Sequence, residues 1–250
     1  MAAPDDRRLE ELGLNSSAPP GQLVYDGWLL RMLKGKAKRA RSVNAVYPSK
    51  AELATKVAYC ERLYRSQGVP AIFRITPFSE PASLDADLER RGYGRFDPTA
   101  VEYAAIEPAR FGAGEAESME LATWVDAVGG MRASPPEHRS AHLARLAGMP
   151  LALRAVAVRD AAGRVVATGL TVIEDDCAGL FDIITHEDAR RRGHARSIVA
   201  TLLRTAWDLG ARYAYLQVNC ENEPARRLYR DFGFAERYQY WYRGRPGEQG

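Results

Sequence analysis

From Leu151 to Tyr242 the apolar spacing switches between a period of two and steps of three to four, and this switching limits the available folds more than any other feature. Leu151–Arg159, Val165–Glu174 and Ala178–Thr185 read as three strands separated by Asp-Ala-Ala-Gly and Asp-Asp turn signals, an antiparallel meander. Ala195, Ile198, Val199, Leu202, Leu203, Ala206 and Trp207 then fall on one helical face, and Gly210 stands where a C-terminal cap belongs. Tyr213–Val218 is a further strand, Pro224 suits the first turn of a helix ended by Gly233, and Phe234–Tyr242 closes as an aromatic strand. Glu117–Val128 and Glu137–Ala147 have helical spacing upstream of the meander. The fold class is α/β (α+β): a mixed, mostly antiparallel central sheet flanked by helices.

The N-terminal half echoes this plan. Leu53–Gln67 is helix-like, Gly68 stops it, Ala71–Thr76 is a strand, Leu84–Arg91 a short helix, and Gly92-Tyr93 leads into another strand. Gly68 precedes Gly210 by 142 residues and Gly92 precedes Gly233 by 141, so two landmarks keep nearly one offset, as an internal repeat of two tandem units would.

Composition narrows the function. No apolar run approaches the ~20 residues of a membrane span, and a net charge of +3 is far from that of a dedicated nucleic-acid binder. The dense basic run, Lys34, Lys36, Lys38, Arg39 and Arg41, reads as a solvated hairpin or strand edge. Residues 1–21, polar and proline-containing, read as flexible. Cys60, Cys177 and Cys220 show neither a disulfide framework nor a metal-ligand pattern, which fits a reducing cytoplasm. The expectation is a protein with no metal, no membrane and no nucleic-acid partner.

The segment that carries chemistry is Arg190-Arg191-Arg192-Gly193-His194-Ala195-Arg196, between a strand and the helix that follows. First-turn amides of such a helix lack internal partners and face the loop together with the positive end of the macrodipole. A glycine lets main chain approach a ligand, Ala195 keeps the first turn slim, and arginines add charge-assisted bonds to phosphate oxygens. This loop is a candidate anion cradle.

Downstream come Leu216-Gln217-Val218, Asn222, Ala225, Leu228-Tyr229 and Gly233-Phe234, in the order strand, loop, helix, turn. Here the sequence resembles the GNAT superfamily of N-acetyltransferases, whose R/Q-x-x-G-x-G/A loop and N-x-x-A-x-x-L-Y-x-x-x-G-F segment occur in this order. The likeness covers 101–243 as a fold and is strong over Phe181–Phe234. It implies a flexible stretch 1–21, a degenerate GNAT-like unit at 22–100, a catalytic domain at 101–243 and a tail at 244–250. In the first unit Pro48–Leu53 replaces the arginine-glycine segment, and Leu88 stands opposite Tyr229.

By the same resemblance the chain transfers the acetyl group of acetyl-CoA to a primary amine by direct attack in a ternary complex. Ile183, Ile184 and Thr185 would meet the pantetheine arm, Arg190–Arg196 the pyrophosphate, and Asn222 the cosubstrate near its pantetheine. A main-chain N–H at the end of the Phe181–Thr185 strand would hold the oxyanion, and Tyr229 would protonate the leaving thiolate. For the base, the family's habit offers Asp182, Glu174 and His186, with Asp182 carried forward as the catalytic candidate. Cys220 has no evident histidine partner and reads as a small buried thiol. Trp28, Trp124 and Trp207 read as core. The aromatics of the last strand, Tyr238, Tyr240, Trp241 and Tyr242, stay open between core and acceptor groove. A CoA-binding module without transfer activity and a transferase of a longer acyl group are the competing readings. A small-molecule or protein amine fits as acceptor, and the tandem units fit a monomer or a homodimer.

Overall fold

The computed structural model describes residues 3–33, 35, 37–112 and 114–247. In chain order the elements are α1 (Asp6–Asn15), β1 (Gln22–Tyr25), β2 (Trp28–Arg31), β3 (Val43–Asn44), α2 (Leu53–Ser66), β4 (Phe73–Ile75), α3 (Leu84–Arg90) and β5 (Gly94–Ala105). The second half adds β6 (Glu117–Ser118), α4 (Leu121–Met131), α5 (Pro136–Ala147), β7 (Ala152–Arg159), β8 (Val165–Glu174), β9 (Cys177–Thr185), α6 (His194–Asp208), β10 (Tyr213–Asn219), α7 (Glu223–Asp231) and β11 (Ala235–Gly244).

The chain folds as two compact units. The N-terminal unit holds 17–100, 219–221 and 238–250; the C-terminal unit holds 1–16, 101–218 and 222–237. The closing strand β11 therefore passes into the N-terminal unit at Tyr238, where 101–243 was expected to form one domain. In that unit the strands run β1-β2-β3-β4-β11, and Trp28, Phe73, Tyr93 and Leu88 share one buried core with Trp241 packed on it. Tyr238, Tyr240 and Tyr242 are buried as well. The basic run is not a solvated edge: Lys38–Ala40 is a 3-10 turn, Lys38 pairs with Asp97 at 3.1 Å and Arg41 is buried. Lys34 and Lys36 lie outside the described residues.

The stretch expected to be flexible, 1–21, contains α1. Asp5 accepts a bond from the Arg8 N–H at 2.8 Å, an N-cap, and Leu9, Leu12 and Leu14 are buried. Arg8 and Asn15 both bond Glu174, at 2.8 and 3.1 Å, which ties the helix to the turn between β8 and β9. The helical stretch expected over Glu117–Val128 is the short strand β6 followed by α4. The carboxylate of Glu120 accepts bonds from Ala122 and Thr123 N–H, both at 2.9 Å, and so sets where that helix starts.

In the C-terminal unit the strand order is β5-β10-β9-β8-β7-β6. On one face Trp124, Val125 and Val128 of α4 and Leu146 of α5 pack on Leu170 and Val172 of β8, with Phe181 and Ile184 of β9 beside them. On the other lies α6, admitted by Gly169, where an added Cβ would sit 2.3 Å from Ile198 Cγ2 and 2.9 Å from Leu202 Cδ1. Gly169→Ala is thus expected to lower the unfolding free energy by about 1–3 kcal/mol, the usual result of overfilling a packed interface; urea titration checks it.

Candidate active site

Strands β9 and β10 run parallel and are paired from Cys177↔Tyr213 to Leu180↔Leu216. Beyond those residues the ladder stops, although β9 continues to Thr185 and β10 to Asn219. The two strands part there, leaving an open wedge bordered by main-chain groups. Directly at the parting β9 carries a bulge: its register against β8 shifts between Thr168 and Leu170, and Asp182 has φ of 49°. The extra residue breaks the in-out alternation. Phe181 and Ile184 pack on the α4–α5 face, Asp182 turns to the same side, and Ile183 reaches toward the α6 side, 3.7 Å from the Cβ position of Gly169.

The wedge leads to the N-terminus of α6. Gly193 is the N-cap residue with φ of 84°, and a Cβ built there would meet nothing within 4 Å. Its glycine answers a left-handed backbone rather than crowding in the protein itself. Arg191 is left-handed too, with φ of 61°. The first helical bond runs from the Ser197 N–H to the Gly193 carbonyl at 3.0 Å, so the amides of His194, Ala195 and Arg196 have no partner inside the helix. No side chain caps them. Arg190 lies 3.6 Å from Glu187, and the Arg196 guanidinium is committed to Asp231. Arg191 and Arg192 are exposed and form no ion pair among the described residues. Free amides, a positive helix end and two uncommitted guanidinium groups suit a diphosphate.

On α7 the Asn222 side chain is the N-cap, its Oδ1 accepting from the Ala225 N–H at 3.3 Å, so only its amide NH₂ is left to donate outward. Tyr229 is buried against Phe234, ring centroids 6.0 Å apart, and among the described residues its hydroxyl has no hydrogen-bond partner. Burial first, and the negative charge of Glu102 second, push its phenol up to about 12. Glu102, itself buried, is held by Arg226 at 2.9 Å.

The candidate bases fare differently. Glu174 ends β8, opposite Cys177 at the start of β9 and tied to α1, about 16 Å of strand from the bulge. His186 bonds the exposed Asp188 at 2.7 Å beyond the strand end. Asp182 is at the bulge, but Arg132, the C-cap of α4, donates to its Oδ1 at 2.6 Å, and His142 Nε2 of α5 lies 3.4 Å from its Oδ2. Burial works against the charge of this carboxyl; Arg132, then His142 and Arg145, more than offset it and hold the group well below the usual carboxylate range. Such a carboxylate is a poor proton acceptor near neutral pH, which counts against Asp182 as the base. Arg132 and His142 were not read from the sequence. A three-residue helical step along α5 would have flagged only a polar face, and nothing in the spacing ties them to residue 182. Cys220 is half-buried, and all three cysteines are free. Among the described residues no group of three or more His, Cys, Asp or Glu side chains could hold a metal ion, and no helix is long and apolar enough to cross a membrane.

Residues 131–234 match the family model described as Acetyltransferase (GNAT) family. An uncharacterized N-acetyltransferase of Bacillus subtilis, YobR, is 27% identical over 249 residues, 96% of this chain and 98% of that protein. A GCN5-related N-acetyltransferase from Kribbella flavida superposes with a TM-score of 0.71 at 18% identity, covering 98% of this chain and 97% of that one. A tandem GNAT protein from the clavulanic acid biosynthesis pathway superposes with a TM-score of 0.65 at 15% identity, over 97% of this chain and 89% of its own. An interrupted β9–β10 pairing and an uncapped arginine-glycine loop thus lie within the segment, 131–234, that matches the GNAT acetyltransferase family, on a chain whose fold is shared with GNAT proteins.

Proposed function

We propose that the C-terminal unit transfers the acetyl group of acetyl-CoA to a primary amine by direct attack, with both substrates bound together. The observation that carries this reading is the parting of β9 from β10 at Leu180 and Leu216, with the bulge at its apex and the α6 N-terminus at its mouth. An extended chain can lie along the open edge of β9, bonding the main chain of Ile183, Ile184 and Thr185 as a further strand would. Its diphosphate then meets the amides of His194, Ala195 and Arg196 and the side chains of Arg191 and Arg192. Arg190 is free to swing from its long contact with Glu187, Gly193 shapes the turn, and the Asn222 NH₂ donates from the opposite wall. A main-chain N–H at the bulge would meet the charge that develops on the thioester carbonyl oxygen. Tyr229, neutral throughout the physiological range, donates a proton to the departing sulfur.

The same reading makes 22–100 a degenerate GNAT-like unit with no arginine-glycine loop, and it places the activity in the cytoplasm, in keeping with the free cysteines. The test is calorimetric titration of the intact protein with acetyl-CoA, followed by thiol release in the presence of an amine panel. One-site binding and amine-dependent thiol release are expected. Absence of binding would remove the proposal, and binding without turnover of any amine would favour a CoA-binding module.

A further inference from the structure

The reading above leaves the acceptor without a group to take its proton, and a lysine-like ammonium has a reference pKa of about 10.4. The cluster at the bulge supplies one. Three side chains from three elements converge there: Arg132 from the end of α4, His142 from α5 and Asp182 from β9. His142 is partly buried, with 18% of its side chain exposed, and stands edge-on to Trp124 with ring centroids 5.9 Å apart. Asp182 in turn is fixed from behind, its carbonyl accepting from Thr168 Oγ1 at 3.2 Å.

Resting on that reading, we propose that His142 is the proton acceptor for the amine, with Asp182 and Arg132 as the residues that position it. The Asp182 carboxylate lies against Nε2, which keeps the proton on that nitrogen and leaves the lone pair on Nδ1. Arg132 keeps Asp182 ionised, so the aspartate orients the imidazole without taking its proton. This is the division of labour of a histidine-carboxylate pair, and here it is built on a strand bulge that turns Asp182 to the α4–α5 side, where regular alternation is broken. The proton count closes. Of the three ammonium protons, one goes to His142 and on to solvent and one stays on the amide nitrogen; the third leaves the nitrogen after the N–C bond forms and, through solvent, restores to Tyr229 the proton it gives to the sulfur as the C–S bond breaks. The charged group in contact with His142 is Asp182 of β9, and Arg132 of α4 and Arg145 of α5 act on that carboxylate in turn.

The chain has four histidines, so each can be assigned by its loss in a variant. Long-range proton–nitrogen spectra of the intact protein are expected to show His142 with Nε2 protonated near neutral pH, and Asp182→Asn to remove that preference. A proton on Nδ1 in the wild type would overturn the proposal. In kinetics with a lysine amide, spermidine and an aminoglycoside as probe amines, His142→Gln is expected to bind acetyl-CoA within twofold of wild type and to lose about 10²-fold or more in kcat. The deficit should shrink as pH rises toward the amine's own pKa. A deficit equal at every pH, or none, would overturn the role of His142 and leave the transferase reading standing. Failure of the wild type to bind acetyl-CoA would overturn both.

Discussion

A Gly193→Asp, Ala195→Asp double variant is expected to lose acetyl-CoA affinity by about 10³-fold or more. The amides of His194–Arg196 carry the positive end of a fifteen-residue helix, and among the described residues no side chain caps it. Two carboxylates placed in that mouth would do so, and would also stand against the diphosphate. At a separation of ~4 Å and an effective dielectric near 20, each like-charge pair costs about 4 kcal/mol before screening, and every 1.4 kcal/mol is tenfold in affinity. Aspartate is the substitution of choice because, with asparagine, it tolerates a positive φ better than most residues, so the strain of replacing Gly193 at 84° is shared by the asparagine control. Gly193→Asn is the control: it adds side chain without charge and should weaken binding far less. Calorimetry on the three proteins reads both effects, and equal binding by wild type and double variant would move the diphosphate elsewhere.

Tyr229→Phe is expected to lower kcat by about 10²-fold or more while acetyl-CoA affinity changes by less than twofold. The variant is a clean one. The hydroxyl has no hydrogen-bond partner among the described residues, so removing it strands no donor or acceptor and leaves the contact with Phe234 in place. The pH dependence has a definite sign. Burial and Glu102 raise the phenol to about 12, so the acid form persists from neutrality to beyond pH 11, and no alkaline loss of rate below that point should come from Tyr229. Steady-state rates of both proteins from pH 6 to 10 check this.

Much of the C-terminal unit was legible because its signals are local. Val165–Glu174 matched β8 end to end, and Gly210 and Gly233 both adopt the left-handed conformation that ends a helix, as do Gly68 and Gly92 in the N-terminal half. The arginine-glycine loop was legible for the same reason: a cradle made of consecutive amides is written in consecutive residues. What escaped the sequence depends on partners distant in the chain. A bulge is the insertion of one residue against a neighbouring strand, so the one at Asp182 is revealed only by the pairing of β9 with β8. His142 and Arg132 gain meaning only from a carboxylate 40 to 50 positions away. The first sixteen residues misled in the opposite sense: a short helix between polar flanks has little periodicity of its own, and its three buried leucines are apolar because of the surface they cover.

That helix bears on how such a chain can be divided. Gly13 lies so near β10 that an added Cβ would stand 2.6 Å from Gln217 Nε2, and Ser16 Oγ meets the Tyr215 hydroxyl at 2.8 Å. Helix α1 thus roofs the strand that borders the wedge, while β11, from Tyr238, completes the sheet beside β4. A gene split at codon 100 would yield two fragments, each missing a piece carried by the other. Each unit is built from segments distant in the chain, so neither is expected to fold from one continuous stretch of sequence.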